Sequence, residues 1–404
     1  MHLLHLTLSA ATLLLSVTDG KRCYVPEPTD GTDLLAKQSL SKLHDVVIDG
    51  SLQKQMAEHD VAQTCRLENA AIRREYSTLT TKEKLDYTSA VKCLMSKPPR
   101  TPSEKAPGVR SRYDDFVATH INATNTIHFT GNFLSWHRYY IWAFETALRD
   151  ECGYKGYLPY WNWGESAQDP EHSPYFDGSP TSQGGNGAYA AHNCTPALIS
   201  GKGCIPAGRG GGCMETGPYA GLVANLSATG PTFPGIRTGF PPLGYQPRCV
   251  KRDISSWVSQ QWSIDAQSVD LLTNPAYQTN IRAFQDRLQG GNVSDIFTSS
   301  FFGVHSAGHF TWGGDPGGDV AGSPTDPMFW LHQKTQIDRT WWIWQNQKPL
   351  ERIPQIAGTR TILNYPASPE ASIEDLLDLH YTAPASAVKN HVSSVGGSYC
   401  YIYA

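Results

Sequence analysis

A chain of 404 residues with a net charge of −4 and only 17% charged residues has neither the basic surplus of a nucleic-acid binder nor a Lys/Arg block suited to a membrane surface. Eleven Trp and nineteen Tyr require a large buried aromatic area, so the chain is globular, long enough for one large domain or two ordinary ones.

At the amino end, Leu3 to Val17 is a run of Leu, Ala, Thr and Ser, too short to span a bilayer and suited to the apolar stretch of a secretion signal. Thr18 and Gly20 supply small residues before Lys21, which predicts a signal peptide over residues 1–20 and a secreted mature chain over 21–404. No later stretch is long and apolar enough to anchor the chain. Nine cysteines without Cys-x-x-Cys spacing fit disulfides in an oxidising compartment, and the odd count leaves at least one thiol without an intramolecular partner. Asn122, Asn193, Asn225 and Asn292 stand in Asn-x-Ser/Thr sequons and are candidate glycosylation sites.

Apolar residues at helical spacing predict two helices within Asp60 to Leu94, broken at Ser77 to Thr80, and another from Ser135 to Asp150 that ends near Gly153. Gly164 to Gly244 is dense in Gly, Pro, Ser and Asn, the composition of a long irregular excursion. Helical pattern returns at Pro275 to Leu288, Ser294 to His309 and Pro327 to Gln345. The tail closes on Tyr399-Cys400-Tyr401-Ile402-Tyr403, an expected strand or extended arm.

Six histidines carry the chemistry: His120, His128 and His137 before the excursion, His305, His309 and His332 after it. Imidazole binds several transition metals; two triplets with no Asp, Glu or Cys arranged beside them favour a pair of copper ions facing each other. The two groups must meet, so the chain reads as one mainly helical domain. His305 and His309 share one face of a helix, a turn apart, although that pair alone equally fits ordinary core histidines, and the Glu of a zinc-protease His-Glu-x-x-His motif is absent. His137 reads as the start of a helix, while His128 and His120 read as loop residues. Glu145, two turns beyond His137, reads as a solvated helix position or a support for the site.

His128-x8-His137-Arg138, Pro159-Tyr160-Trp161-Asn162-Trp163, His305-x3-His309 and Asp326-Pro327-Met328-Phe329-Trp330-Leu331-His332 before Asp338-Arg339 together resemble the tyrosinase and catechol oxidase family of type 3 copper proteins. With its Gly313-Gly314-Asp315-Pro316-Gly317-Gly318-Asp319 loop the chain is most similar to the short secreted fungal members. The resemblance runs from about Cys65 to the carboxyl end. It implies a four-helix core with few short strands, holding two copper ions with three histidines each: His120, His128 and His137 on one, His305, His309 and His332 on the other. It also implies Phe329 beneath the second copper and Asp338 with Arg339 bracing the helices.

Two departures from the family pattern stand out. Thr126 occupies the place of a Cys that many relatives join to the second histidine by a thioether. More consequentially, the family has two adjacent histidines, the second being the ligand, with the Asp of Asp-Arg four residues on; this chain reads His332-Gln333-Lys334-Thr335-Gln336-Ile337-Asp338. The second histidine is missing and one residue is added, and neither an amide nor an ammonium is a normal copper ligand. A π-bulge or a later helix start would swing His332 inward; a vacant or weakened second copper is the competing outcome.

The reaction these features imply is oxidation of o-diphenols or o-aminophenols to quinones with dioxygen, in pigment or secondary-metabolite formation. Ser306 stands where strong monophenol hydroxylases of the family carry Asn, which favours diphenol oxidation. The alternatives are a tyrosinase with monophenol hydroxylase activity, a copper- and dioxygen-binding homologue with weak or no turnover, and a zinc hydrolase built on His305 and His309 alone. The implied partners are a phenolic small molecule and dioxygen, with no nucleic acid and no membrane.

Overall fold

The computed structural model describes residues 24–63, 65–196, 203–230, 233–292 and 300–403. The proposed signal sequence and Cys23 lie outside these residues. Helices dominate. They are α1 (Asp30–Ile48), α2 (Ser51–Ala57), α3 (Thr81–Ser96), α4 (Arg112–Ile127), α5 (Phe133–Cys152), α6 (Ser256–Trp262), α7 (Asp265–Thr273), α8 (Pro275–Gln278), α9 (Ile281–Gln289), α10 (Gly303–Trp312), α11 (Ile337–Asn346) and α12 (Pro349–Arg352). Among the described residues the strands are short and pair only in twos.

Local chemistry sets the helix starts. Thr80 and Ser111 each accept a backbone N–H from the residue three on, Glu83 and Asp114, whose carboxylates return to the cap backbone; such capping boxes satisfy N–H groups that the first helical turn leaves over. α5 stops at Gly153, whose left-handed φ of 70° costs glycine no Cβ clash.

Several expected boundaries move. The pattern over Asp60 to Leu94 holds only in its second half, as α3; the first half carries a short 3-10 turn and the strand Ala71–Arg73. α1 and α2 precede it, where no helix was expected. Pro275 to Leu288 splits into α8 and α9 at Thr279 and Asn280, the latter capping α9 through its side chain. Of the stretch Ser294 to His309, α10 takes the second half and continues to Trp312; residues 293–299 lie outside the described set. The excursion between the histidine groups holds short antiparallel pairs, including Gly187–Tyr189 with Gly211–Met214 and Val223–Leu226 with Tyr245–Cys249.

The core lies where α4, α5, α10 and α11 meet. Eight of its largest fully buried side chains are Trp, from Trp136 to Trp344. At one end of this core the aromatic tail returns: Tyr401–Tyr403 pairs in parallel with Ala71–Arg73, Ala71 opposite Tyr401. Asp338 on α11 is the hub there. It accepts from Arg138 Nε at 2.6 Å and from the hydroxyls of Tyr401 and Tyr403 at 2.6 Å each, with Arg73 at 3.4 Å. Arg73 also pairs with Glu145 at 3.4 Å, and Arg138 stacks over Trp341 at 3.8 Å. A buried carboxylate is tolerated only when charges and donors surround it, and this set ties α5, α11, the strand Ala71–Arg73 and the carboxyl-terminal strand into one body. Glu145 is therefore not a solvated position: it is buried, and it accepts the backbone N–H of Leu158 at 2.7 Å. Arg339 braces elsewhere, on Asp33 of α1 at 2.7 Å.

Four disulfides join the described cysteines: Cys65 with Cys400, Cys93 with Cys152, Cys194 with Cys204 and Cys213 with Cys249. The second staples α3 to the end of α5, closing a loop that in a chain-entropy model stabilises by about 4 kcal/mol. Among the described residues no helix is long and apolar enough to cross a membrane.

Candidate metal centre

His120 projects from the third turn of α4, not from a loop, and His137 from the second turn of α5. His128 is the residue that ends α4, its backbone already extended at φ −115° and ψ 138°. The turn between the two helices thus carries one ligand-type side chain at its start, and the flanking helices present the other two. All three rings are buried, with centroids 5.0 Å (His120 to His128), 5.2 Å (His128 to His137) and 5.7 Å (His120 to His137) apart. One nitrogen from each lies within 4.8 Å of the other two.

Each of these rings is oriented by a carbonyl. Nδ1 of His137 lies 2.6 Å from the Phe133 carbonyl, Nδ1 of His128 3.0 Å from that of Thr124, and Nδ1 of His120 2.8 Å from that of Ala321. A carbonyl can only accept, so in each case Nδ1 bears a proton, and Nε2 is the nitrogen that offers a lone pair when the ring is neutral. For His137 that Nε2 is buried with no hydrogen-bond partner, a costly state for a polar atom unless something else takes the lone pair. Three buried imidazoles, each held through Nδ1 and each with one nitrogen close to the other two, fit a metal ion of the copper or zinc type.

The second group faces the first across Phe133 and Phe329. The Phe133 ring lies 4.9 Å from His137 and 5.2 Å from His305; Phe329 lies 5.3 Å from His120 and 6.0 Å from His309. Both phenylalanines are fully buried. Phe329 thus touches both groups rather than the second alone. Phe133 escaped sequence reasoning, although its place four residues before His137, on the same helix face, was a readable signal.

His305 and His309 lie a turn apart on α10, centroids 5.3 Å apart, and His309 Nδ1 is 3.1 Å from the Gly317 carbonyl. His332 sits beside them, 4.9 Å from His309 and 6.1 Å from His305, walled by Trp161, Trp163 and Trp312. Its backbone lies in a π-helix, Trp330–Gln336, which takes up the added residue before α11 begins at Ile337. Asp338 consequently keeps its place at the hub. The ring itself is turned onto the backbone of α10: Nε2 donates to the His305 carbonyl at 2.9 Å and Nδ1 has no hydrogen-bond partner. Burial, then the neighbouring His309 and His305, hold its pKa well below the usual histidine value, so the ring is neutral. Gly308 makes this fit possible, since a Cβ there would stand 1.9 Å from His332 Cε1. Among the described residues, the first triplet alone brings three donor atoms within 4.8 Å of one another.

Residues 110–347 match the model of the common central domain of tyrosinase, a span that holds all six histidines. The chain belongs to the tyrosinase family. Family members hold a type 3 dicopper centre, the kind of centre that two facing histidine groups suit. This tyrosinase-family chain is 36% identical over 346 residues to Tyrosinase P of Aspergillus terreus, covering 84% of this chain and 93% of that one. It is 36% identical over 353 residues to an N-acetyl-6-hydroxytryptophan oxidase of Emericella nidulans, covering 84% and 94%. Among solved structures, a polyphenol oxidase from Thermothelomyces thermophila (the G292N variant) superposes with a TM-score of 0.82 at 38% identity, over 94% of this chain and 98% of that one. Family membership, with His305 and His309 set against a second histidine group, leaves the zinc hydrolase without support.

Proposed function

We propose that this chain is a secreted copper oxidase that converts o-diphenols or o-aminophenols to quinones, two electrons leaving each phenol while dioxygen is reduced to water. The convergence of His120, His128 and His137, each ring oriented through Nδ1, is the observation that carries this reading. Those three would hold one copper; His305, His309 and His332 would hold the other. Bound copper supplies the electron exchange with dioxygen. Backbone carbonyls orient five of the six imidazoles, those of His120, His128, His137, His309 and His332, while Phe133, Phe329 and the surrounding Trp would keep water away from bound metal.

His332 takes the third place on the second copper at a cost. Its Nε2 is committed to the His305 carbonyl, so it donates through Nδ1 or gives that bond up. The second copper is therefore the weaker one, and a homologue with slow turnover is the second reading that this geometry favours. Ser306, buried beside His305 with an Oγ that makes no hydrogen bond, supports diphenol oxidation over monophenol hydroxylation, because no amide orients a water there. The name of the Emericella relative supports a phenolic substrate that also carries nitrogen. Secretion, removal of residues 1–20 and a mature domain over 21–404 belong to the same proposal, supported by the disulfides. So does glycosylation, with Asn122, Asn193 and Asn292 exposed.

The test is oxygen uptake by the copper-loaded protein on paired catechols, o-aminophenols and monophenols. Uptake with the first two and little with the third supports the assignment. Uptake with none of them, from protein carrying two coppers, would favour the homologue without turnover.

A further inference from the structure

The orientation of the histidines is not supplied evenly. His128 and His137 each hydrogen-bond the carbonyl four residues earlier in their own segment, Thr124 and Phe133. His120 and His309 instead reach out of their helices, and both reach one loop, at Ala321 and at Gly317. One ring of each triplet is thereby oriented by the same ten residues, Gly313 to Gly322.

That loop is held by two buried carboxylates. Asp315 receives Arg248 through Nε at 2.6 Å and Nη2 at 3.1 Å, and its backbone pairs with Lys251. Asp319, 1% exposed, has no cation beside it among the described residues. It accepts instead from backbone N–H groups of Thr229 at 2.8 Å, Ala321 at 2.9 Å and Gly322 at 3.2 Å, and from the Thr229 hydroxyl. A desolvated carboxylate met only by dipoles is held by their geometry, so its oxygens fix the peptides that supply them. Ala321 is one of those peptides: its N–H points to Asp319 and its carbonyl to His120 Nδ1. Farther back, Asp319 N–H bonds the Pro316 carbonyl at 2.8 Å, and Gly318 N–H, on the same peptide as the Gly317 carbonyl, bonds the Gly314 carbonyl at 3.1 Å; backbone bonds rather than the Asp319 carboxylate hold the carbonyl that orients His309. Gly317 has no room for a side chain, since a Cβ would stand 2.3 Å from both the Gly313 carbonyl and Trp312 Nε1.

We propose that Asp319 is a positioning residue that sets His120 through the Ala321 carbonyl. It touches neither metal nor substrate. Through it the loop fixes one ring of the first triplet, and damage to it lowers affinity for the copper that this triplet would hold. The inference rests on the dicopper reading, but its first readout needs no metal.

The test uses the full chain, copper-stripped and labelled with 15N at histidine, with Asp319→Ala, Asp319→Asn and Thr229→Val beside the parent. In the parent, His120, His128, His137 and His309 should all show the imidazole 15N pattern of an Nδ1-bound proton. Asp319→Ala should lose that pattern at His120 while His128, His137 and His309 keep it. Asp319→Asn, which retains one acceptor oxygen, and Thr229→Val, which removes only the hydroxyl donor, should produce smaller changes at His120 and keep the protein folded. Copper titration should then show the site of His120, His128 and His137 weakened in Asp319→Ala by about 10-fold, the lower end of what supporting residues contribute to metal affinity, with the other site unchanged. Equal change at all four rings, or no change at His120, overturns the proposal. A parent with the expected ring pattern that fails to take two coppers would instead count against the dicopper reading.

Discussion

Gly308→Ala places one methyl group against a fully buried ring of the centre. The new Cβ would stand 1.9 Å from Cε1, 2.3 Å from Nδ1 and 2.6 Å from Nε2 of His332, far inside contact distance. His332 is fully buried between three Trp, so it has no open side to move into. In an exposed helix the same change would stabilise by roughly 1 kcal/mol. Here overpacking costs about 1–3 kcal/mol, and losing the bond from His332 to the His305 carbonyl costs about 1 kcal/mol more. The expected net is a loss of roughly 1–3 kcal/mol, read by urea unfolding of the copper-free protein. In a double-mutant cycle with His332→Ala, which removes the ring, the methyl should become neutral or favourable. A Gly308→Ala protein as stable as the parent, or no coupling in the cycle, would refute this placement of His332.

His137→Ala and His309→Ala should each abolish catechol oxidation while the protein stays folded, because each removes one metal–nitrogen bond from a different group; most of the activity surviving in either variant would remove that residue from the ligand set. His391 is buried, bonded to Tyr399 and stacked on Tyr139 at 4.1 Å, and burial with nearby Arg138 lowers its pKa to about 3. The unfolded chain, with an ordinary histidine pKa near 6.5, then binds the extra proton first as pH falls, so this stability is intact above about pH 6.5 and is lost between there and pH 3, roughly 2 kcal/mol of it by pH 5. His391→Asn should flatten that acid limb in unfolding measured at pH 7.5 and 5, and an unchanged limb would assign it to other groups. Asn122, Asn193 and Asn292 should carry glycans in secreted protein, and Asn225, half-buried with Nδ2 donating to Asp114 at 2.9 Å, should not; peptide mass spectrometry before and after deglycosylation reads each site.

Histidine spacing exposed both halves of the centre because i, i+4 pairs and helix-start positions are local. His120 looked like a loop residue because α4 is buried nearly all round, which removes the polar face that a periodicity search needs; its Ser111 and Asp114 capping box was the signal passed over. Residues 60 to 80 carried apolar spacing that a strand pairing with the distant tail used instead, a partner no local pattern reveals. Glu145 stayed open between a solvated and a supporting position for the same reason, since its Arg73 partner comes from that strand. The added residue near His332 was legible as a disruption. Its outcome depended on tertiary contacts: Asp338 is fixed by Arg73, Arg138, Tyr401 and Tyr403, so the slack went into a π-helix upstream. Disulfide pairing and the loop carbonyls behind His120 and His309 depend wholly on three-dimensional proximity.

Copper titration of the parent protein, beside a variant in which the Gln333-Lys334 pair is replaced by a single His, tests the dicopper assignment most directly. The parent should take two equivalents, the second more weakly, and develop with oxygen the strong near-ultraviolet absorption of a coupled copper pair. The variant, which restores the family spacing, should tighten the second equivalent and oxidise catechol faster. A parent that takes one copper or none, without that absorption, and a variant that changes neither copper content nor rate, would contradict it.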